Sequence, residues 1–229
     1  MQLYLVATPI GNYEDITLRA LSVLKEADLI ICEEYREARR FLSHFKIDKP
    51  LLSLNEHNER ETAEEIIVQI KEEKKVALIS DCGTPLFSDP GHYLVEICIA
   101  EKIQIIPVPG ANSLIPALTG SGLNIEKFYY YGWLSPKKDI RKQELFRLKK
   151  IDELIVILDT PYRMKSLIED IIVSFGKDVP LVLAYQLTQK NENFIRGSGE
   201  FVLSKIIKGE LKGEFVLLVN NRSKNYRYR

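Results

Sequence analysis

The sequence is poor in residues that hold metals or cross-link secreted chains. Its three cysteines, Cys32, Cys82 and Cys98, form no C-x-x-C pair, and each sits in or beside an apolar run. That usage predicts buried free thiols in a reducing compartment rather than a disulfide framework. The three histidines, His44, His57 and His92, are scattered, so no metal centre is expected. An excess of one charge is lacking too, since 32 basic side chains balance 32 acidic ones. No global field draws the chain towards nucleic acid, and any such contact must come from a local patch. No apolar run reaches membrane-spanning length, and Met1-Gln2-Leu3-Tyr4 lacks the pattern of a secretory leader. A cytoplasmic protein with no membrane contact is therefore expected. Neither G-x-G-x-x-G after a strand nor G-x-x-x-x-G-K-[ST] occurs, which removes the two commonest phosphate-cradling loops.

Alternating strands and helices are what the chain does have. In the first half Leu3–Ala7, Leu29–Cys32, Leu51–Leu54, Val76 to Ser80 and Gln104–Val108 read as strands. Helical patterns separate them, with Ala63, Ile66, Ile67 and Ile70 a clear apolar face. Five strands separated by helices predict a mainly parallel sheet covered on both faces. Gly120-Ser121-Gly122 breaks the pattern, so an amino-terminal α/β domain is expected over 1–122 and a second over 123–229. The second half offers an aromatic strand at Phe128–Trp133, then Leu154–Leu158, Pro180–Tyr185, Phe194–Arg196 and Glu214–Val219. Helices over Met164–Phe175 and about Glu200–Ile207 connect them, and the spacing predicts a mixed sheet.

Two loops depart from plain turn chemistry. Ser80-Asp81-Cys82-Gly83-Thr84-Pro85-Leu86-Phe87-Ser88-Asp89-Pro90-Gly91 packs two glycines and two prolines into the exit of a strand. A rigid backbone that can be approached closely is expected there, either as a structural loop or as a ligand cradle at a strand's carboxyl end. Pro107-Val108-Pro109-Gly110-Ala111-Asn112-Ser113 repeats the device, with Asn112 or Ser113 a candidate helix cap.

Leu5-Val6-Ala7-Thr8-Pro9-Ile10-Gly11-Asn12, Ser80 to Gly91, Pro107-Val108-Pro109-Gly110 and Lys212-Gly213-Glu214-Phe215-Val216-Leu217-Leu218-Val219 together resemble the tetrapyrrole-methylase superfamily. Within it, the chain is most similar to the bacterial small-subunit ribosomal RNA cytidine 2′-O-methyltransferases. The resemblance spans the whole chain and implies two α/β domains, S-adenosylmethionine in the cleft between them, and a homodimer acting on ribosomal RNA or the small ribosomal subunit rather than DNA. It implies cofactor contacts from Pro9, Gly83, Thr84, Phe87, Ser113 and Leu114, and from Leu158, Ala184, Gly213 and Glu214. A donor without phosphate fits loops without a phosphate fingerprint. The departures fall elsewhere: Cys32-Glu33-Glu34-Tyr35-Arg36 stands for Ala-Glu-Asp-Thr-Arg, Thr160-Pro161-Tyr162-Arg163 for Ser-Pro-His-Arg, and Asn191-Glu192-Asn193 for His-Glu-Glu. Tyr185-Gln186-Leu187-Thr188-Gln189 likewise stands for Arg-Glu-Leu-Thr-Lys, and several swaps remove charge or basicity, which leaves open a small tetrapyrrole-like substrate or a non-catalytic cofactor-binding relative.

Catalytic candidates are Glu33, Glu34, Arg36 and His57, the first three placed after the second strand at the sheet edge that carries the loops. A carboxylate or imidazole could accept a hydroxyl proton, although Glu-Glu-x-Arg also suits a solvated helix start. His57 lies in Glu56-His57-Asn58-Glu59, which serves equally as a helix cap. Arg163 could meet a phosphate or a nearby acid. Asp81 and Asp89 read as loop-shaping residues rather than bases. For RNA, the basic groups are Arg36, Arg39 and Arg40, then Lys137, Lys138, Arg141 and Lys142, and the end Arg222 to Arg229 with Tyr226 and Tyr228.

Overall fold

A computed structural model describes residues 1–72 and 74–222. It divides into two compact units, Met1–Asn112 and Ser113–Arg229. The first holds β1 (Gln2–Val6), α1 (Leu18–Glu26), β2 (Leu29–Cys32), α2 (Tyr35–His44), β3 (Leu51–Ser53), α3 (Glu59–Lys71), β4 (Val76–Ile79), α4 (His92–Ala100) and β5 (Gln104–Val108). All five strands are parallel, in the order β3-β2-β4-β1-β5. Alternate residues of each strand enter opposite cores. Val6, Ile30, Cys32, Ala77 and Ile79 pack with Ala20, Leu24, Phe41 and Leu42 on one side. Leu3, Ile31, Val76 and Leu78 pack with Ile66, Ile70, Leu94 and Cys98 on the other. The central strands β2 and β4 are covered on both faces and so read as apolar runs rather than alternating ones.

The second unit starts with α5 (Leu114–Gly120), then β6 (Tyr129–Trp133), α6 (Lys138–Leu148), β7 (Leu154–Asp159), α7 (Met164–Phe175), β8 (Pro180–Tyr185), β9 (Asn193–Ser198), α8 (Gly199–Gly209) and β10 (Phe215–Asn220). Its order is β6-β7-β10-β8-β9. Only β6 and β7 are parallel; β10 runs antiparallel to β7 and β8, and β8 to β9. The expected mixed sheet is thus observed. Helices α6, α7 and α8 cover one face through Leu145, Ile168, Ile171, Val202 and Ile206, against Ile155, Ile157, Leu183 and Leu217. Among the described residues no helix is long and apolar enough to cross a membrane.

Two sequence expectations need correction here. Cys32 and Cys98 are buried, and burial pushes their thiols up to about 12 and about 11. Cys82 is exposed, because it stands in the loop beyond β4 and not in the strand. Ser113 does occupy the position before α5, but its side chain makes no capping hydrogen bond. Of the basic end, residues 223–229, with Tyr226 and Tyr228, lie outside the described residues.

Candidate active site

Parallel strands place every loop of interest in the first unit at one sheet edge. There the β1 and β4 exits are joined. Thr8 and Gly83 exchange both backbone hydrogen bonds, at 2.8 and 3.0 Å, as an isolated antiparallel bridge. The Thr8 hydroxyl donates to the Ser80 carbonyl at 3.0 Å, and Thr8 is buried. A third loop joins them, since the Thr84 hydroxyl donates to the Ala111 carbonyl at 3.3 Å and the Ala7 N–H to Val108 at 3.2 Å. Gly83 has φ +88°, and a Cβ there would meet Ile10 Cγ2 at 3.3 Å. Gly110 has its own reason to lack a side chain, as a Cβ would stand 3.0 Å from Ala7 Cβ. Such loops cannot breathe independently. Thr84 and Phe87 are left exposed on them, while Pro9 is buried beneath.

Carboxylates gather at the same edge. Glu33 is held above the ordinary glutamate range, first by burial and then by Asp81, Asp89, Glu34 and Glu56. Burial also raises Asp81 and Asp89, partly offset by hydrogen bonds from the Glu34 N–H and the Ser80 hydroxyl respectively. The Asp81 carboxylate accepts the Glu34 N–H at 3.3 Å, so it ties the β2 exit to the β4 exit. Among the described residues no cluster of His, Cys, Asp and Glu has a metal-binding arrangement. The negative field of Asp81 and Asp89 on this loop, with Glu33 beside it, repels phosphate and suits a cationic group.

The raised Glu33 carries a consequence for stability. The folded chain keeps this proton to higher pH than the unfolded chain, so the contribution is present below 4.5, the ordinary glutamate value, and is lost as pH rises through the raised value. Glu33→Gln is expected to raise the melting temperature at neutral pH by about 1–2 °C, since the group is partly solvated. Thermal melts across pH should show that gain closing as pH 4.5 is approached. A gain that grows on acidification contradicts this assignment.

In the second unit, Leu158, Val216 and Ala184 are direct partners across β7, β10 and β8. They share the sheet face opposite α6, α7 and α8, at the edge where β7 and β8 end. The Gly213-Glu214 turn enters β10 at that same edge. Its Gly213 N–H donates to the Tyr185 hydroxyl at 3.0 Å, and the Gln186 N–H donates to the Glu214 carbonyl at 2.8 Å. A Cβ on Gly213 would stand within 2.6 Å of three Gln186 side-chain atoms. Burial raises the Glu214 carboxyl. Ser113 and Leu114 open α5 in this unit.

The other candidates separate by their partners. Glu34 and Arg36 are exposed at the start of α2, and the Glu34 side chain makes no cap. The His57 ring is exposed, with Nε2 3.5 Å from Glu56, and its backbone N–H donates to Asn55 Oδ1 at 3.0 Å. Arg163 meets an acid rather than open solvent. It stands 3.0 Å from the fully buried Asp159 carboxylate and donates to the Leu134 carbonyl at 2.8 Å. Arg141 must be removed from the surface patch. It is buried, donates from Nε to Asp170 Oδ2 at 2.7 Å, and holds the Ser135 and Pro136 carbonyls at 3.2 and 3.1 Å. Nothing in a Lys-Lys-Asp-Ile-Arg-Lys run marks one cation as inward except helical phase with Leu145 and Leu148. Thr8 was missed as well, its signal being a lone threonine before proline at a strand exit.

The chain belongs to the tetrapyrrole (corrin/porphyrin) methylases, matching that family over residues 2–201. Its relatives include the Thermotoga maritima protein named ribosomal RNA small subunit methyltransferase I, 40% identical over 221 residues that cover 96% of this chain and 99% of that one. The Halalkalibacterium halodurans protein of the same name is 40% identical over 217 residues, 95% of this chain and 75% of its own. Among solved structures, a cobalt precorrin-4 methyltransferase superposes with TM-score 0.72 at 17% identity, covering 95% of this chain and 94% of that one. Diphthine synthase does so with TM-score 0.71 at 18% identity, covering 96% and 89%. At such identities these two likenesses establish the fold alone.

Proposed function

We propose that the chain is an S-adenosylmethionine-dependent methyltransferase that modifies a cytidine ribose 2′-hydroxyl in small-subunit ribosomal RNA, acting in the cytoplasm as a homodimer. The observation that carries the reading is 40% identity, over nearly the whole chain, to proteins named for methylating that RNA. The tetrapyrrole enzyme among the structural neighbours stands at 17% identity and lends no comparable support to a small-molecule substrate.

The first unit fits such a donor. Glycines at positions 83 and 110 let the three loops pack tightly on Ile10 and Ala7, which fixes the exposed Thr84 and Phe87, and the carboxylates Glu33, Asp81 and Asp89 favour a cation. Pro9, Gly83, Thr84 and Phe87 would hold the donor from this unit; Ser113, Leu114, Leu158, Ala184, Gly213 and Glu214 would do so from the second. When bound, S-adenosylmethionine supplies an electrophilic methyl carbon for in-line displacement. The protein's part is mainly alignment. Glu33, with its proton affinity raised, is the group proposed to accept the hydroxyl proton as the oxygen–methyl bond forms, while Glu34, Arg36 and His57 face the substrate.

The test is incubation of the full chain and labelled donor with small-subunit ribosomal RNA, assembled small subunits or a tetrapyrrole in parallel, followed by mass mapping. One new 2′-O-methylcytidine is the expected product. Label appearing only in tetrapyrroles, or in nothing, overturns the reading.

A further inference from the structure

Helix α6 presents an outward ridge that the fold itself does not use. Its inward side is Arg141, Leu145 and Leu148. Lys138, Lys142, Phe146 and Lys150 follow one another at four-residue spacing, all exposed. Lys138, Lys142 and Phe146 stand one turn apart on α6 over about 12 Å, and Lys150 continues the row two residues past the helix end. Phe146 is 63% exposed, yet it buries nothing in the core; its ring lies 5.1 Å from the Lys150 ammonium. Lys138, Lys142 and Lys150 take part in no ion pair among the described residues, although acids are near in sequence. Glu144 is turned inward, accepting the Ser135 N–H at 2.8 Å and pairing with the Tyr131 hydroxyl. Asp139 is left as the one acid of the first turn.

The ridge also has a direction. β6, β7 and β8 end at one edge of their sheet, because β6 is parallel to β7 while β7 and β8 both oppose β10. α6 begins five residues after β6 ends at Trp133, so Lys138 stands at the edge that carries Leu158, Ala184 and Gly213. The β6–α6 connection is fixed there, since Arg163 and Arg141 hold its carbonyls at Leu134, Ser135 and Pro136. Phosphate attraction comes from ammonium groups outside any ion pair among the described residues, and the exposed Phe146 ring, with Lys150 on one side, offers a stacking face.

We propose that the α6 ridge docks single-stranded RNA, with lysines on phosphates and Phe146 against a base, and leads the strand to the edge proposed to meet the donor. The inference rests on the ribosomal RNA reading above and adds to it the surface that grips the substrate. The test uses the full chain and labelled small-subunit ribosomal RNA, titrated over a range of salt concentrations. Lys138→Gln, Lys142→Gln and Lys150→Gln combined should lower the slope of log affinity against log salt by about 2, while the three matching Lys→Arg changes keep it. Phe146→Ala should weaken binding about tenfold with the slope unchanged. Donor binding should be the same in every variant. RNA binding equal to that of the unaltered chain in both the glutamine and alanine variants overturns the ridge alone. No RNA binding by the unaltered chain overturns the ridge together with the reading it rests on.

Discussion

Gly83→Val is expected to weaken S-adenosylmethionine binding by about a hundredfold or more, roughly 2.7 kcal/mol, read by calorimetric titration. Two strains coincide at this position. The backbone has φ +88°, a region that costs an L-residue about 1–2 kcal/mol and a β-branched one more. The added atoms would also press on Ile10, whose Cγ2 stands 3.3 Å from a Cβ. The loop can relieve both only by rotating Gly83, and that breaks the paired bonds to Thr8. Thr84 follows Gly83 directly and the Phe87 N–H donates to the Thr84 carbonyl, so both are displaced and the Thr84 hydroxyl's bond to Ala111 is broken. The sheet cores lie elsewhere, so the variant should still fold. A folded Gly83→Val chain that binds the donor normally would show that this joined pair of loops is not where the donor sits.

The second large effect concerns stability. Arg141→Ala is expected to destabilise the chain by about 3–5 kcal/mol, measured by urea unfolding, because it strands a buried Asp170 carboxylate. The side chains of this pair are only 8% and 11% exposed. Two further groups depend on the arginine: the Pro136 carbonyl loses its donor, and the Ser135 carbonyl keeps only the longer bond from Arg163 at 3.3 Å. Replacing both partners, Arg141→Met with Asp170→Leu, should recover much of the loss, since an apolar pair leaves no charge unpaired. If the single and double variants are equally unstable, the carbonyl contacts carry the effect and not the ion pair.

Much of the fold was legible because burial on both faces writes itself as short apolar runs. Leu29–Cys32 and Pro180–Tyr185 show this, with bounds that follow from those runs alone. The loops were legible too, since Gly83, Gly91 and Gly110 stand where backbone φ or packing forbids a side chain. What could not be read was pairing between distant residues. Thr8 and Gly83 are 75 positions apart, and Arg141 finds Asp170 29 positions away. Charge alone also misled: Arg141 and Lys142 are adjacent in a basic run, yet helical phase sends one into the core and the other to solvent. The pooled field of Glu33, Asp81 and Asp89 belongs to the same class, because it depends on β2 and β4 being neighbours in the sheet. Asp81 nonetheless shapes its loop as expected of an aspartate there, through the Glu34 N–H.

The central claim is that rigid turns without basic side chains, carrying Asp81 and Asp89 beside Glu33, receive a sulfonium donor and refuse a phosphate-bearing nucleotide. Calorimetric titration of the full chain with S-adenosylmethionine and, separately, with ATP tests it most directly. The account predicts saturable binding of the first, near the micromolar range, and no heat from the second. No binding of S-adenosylmethionine, or binding of ATP with equal strength, would contradict it.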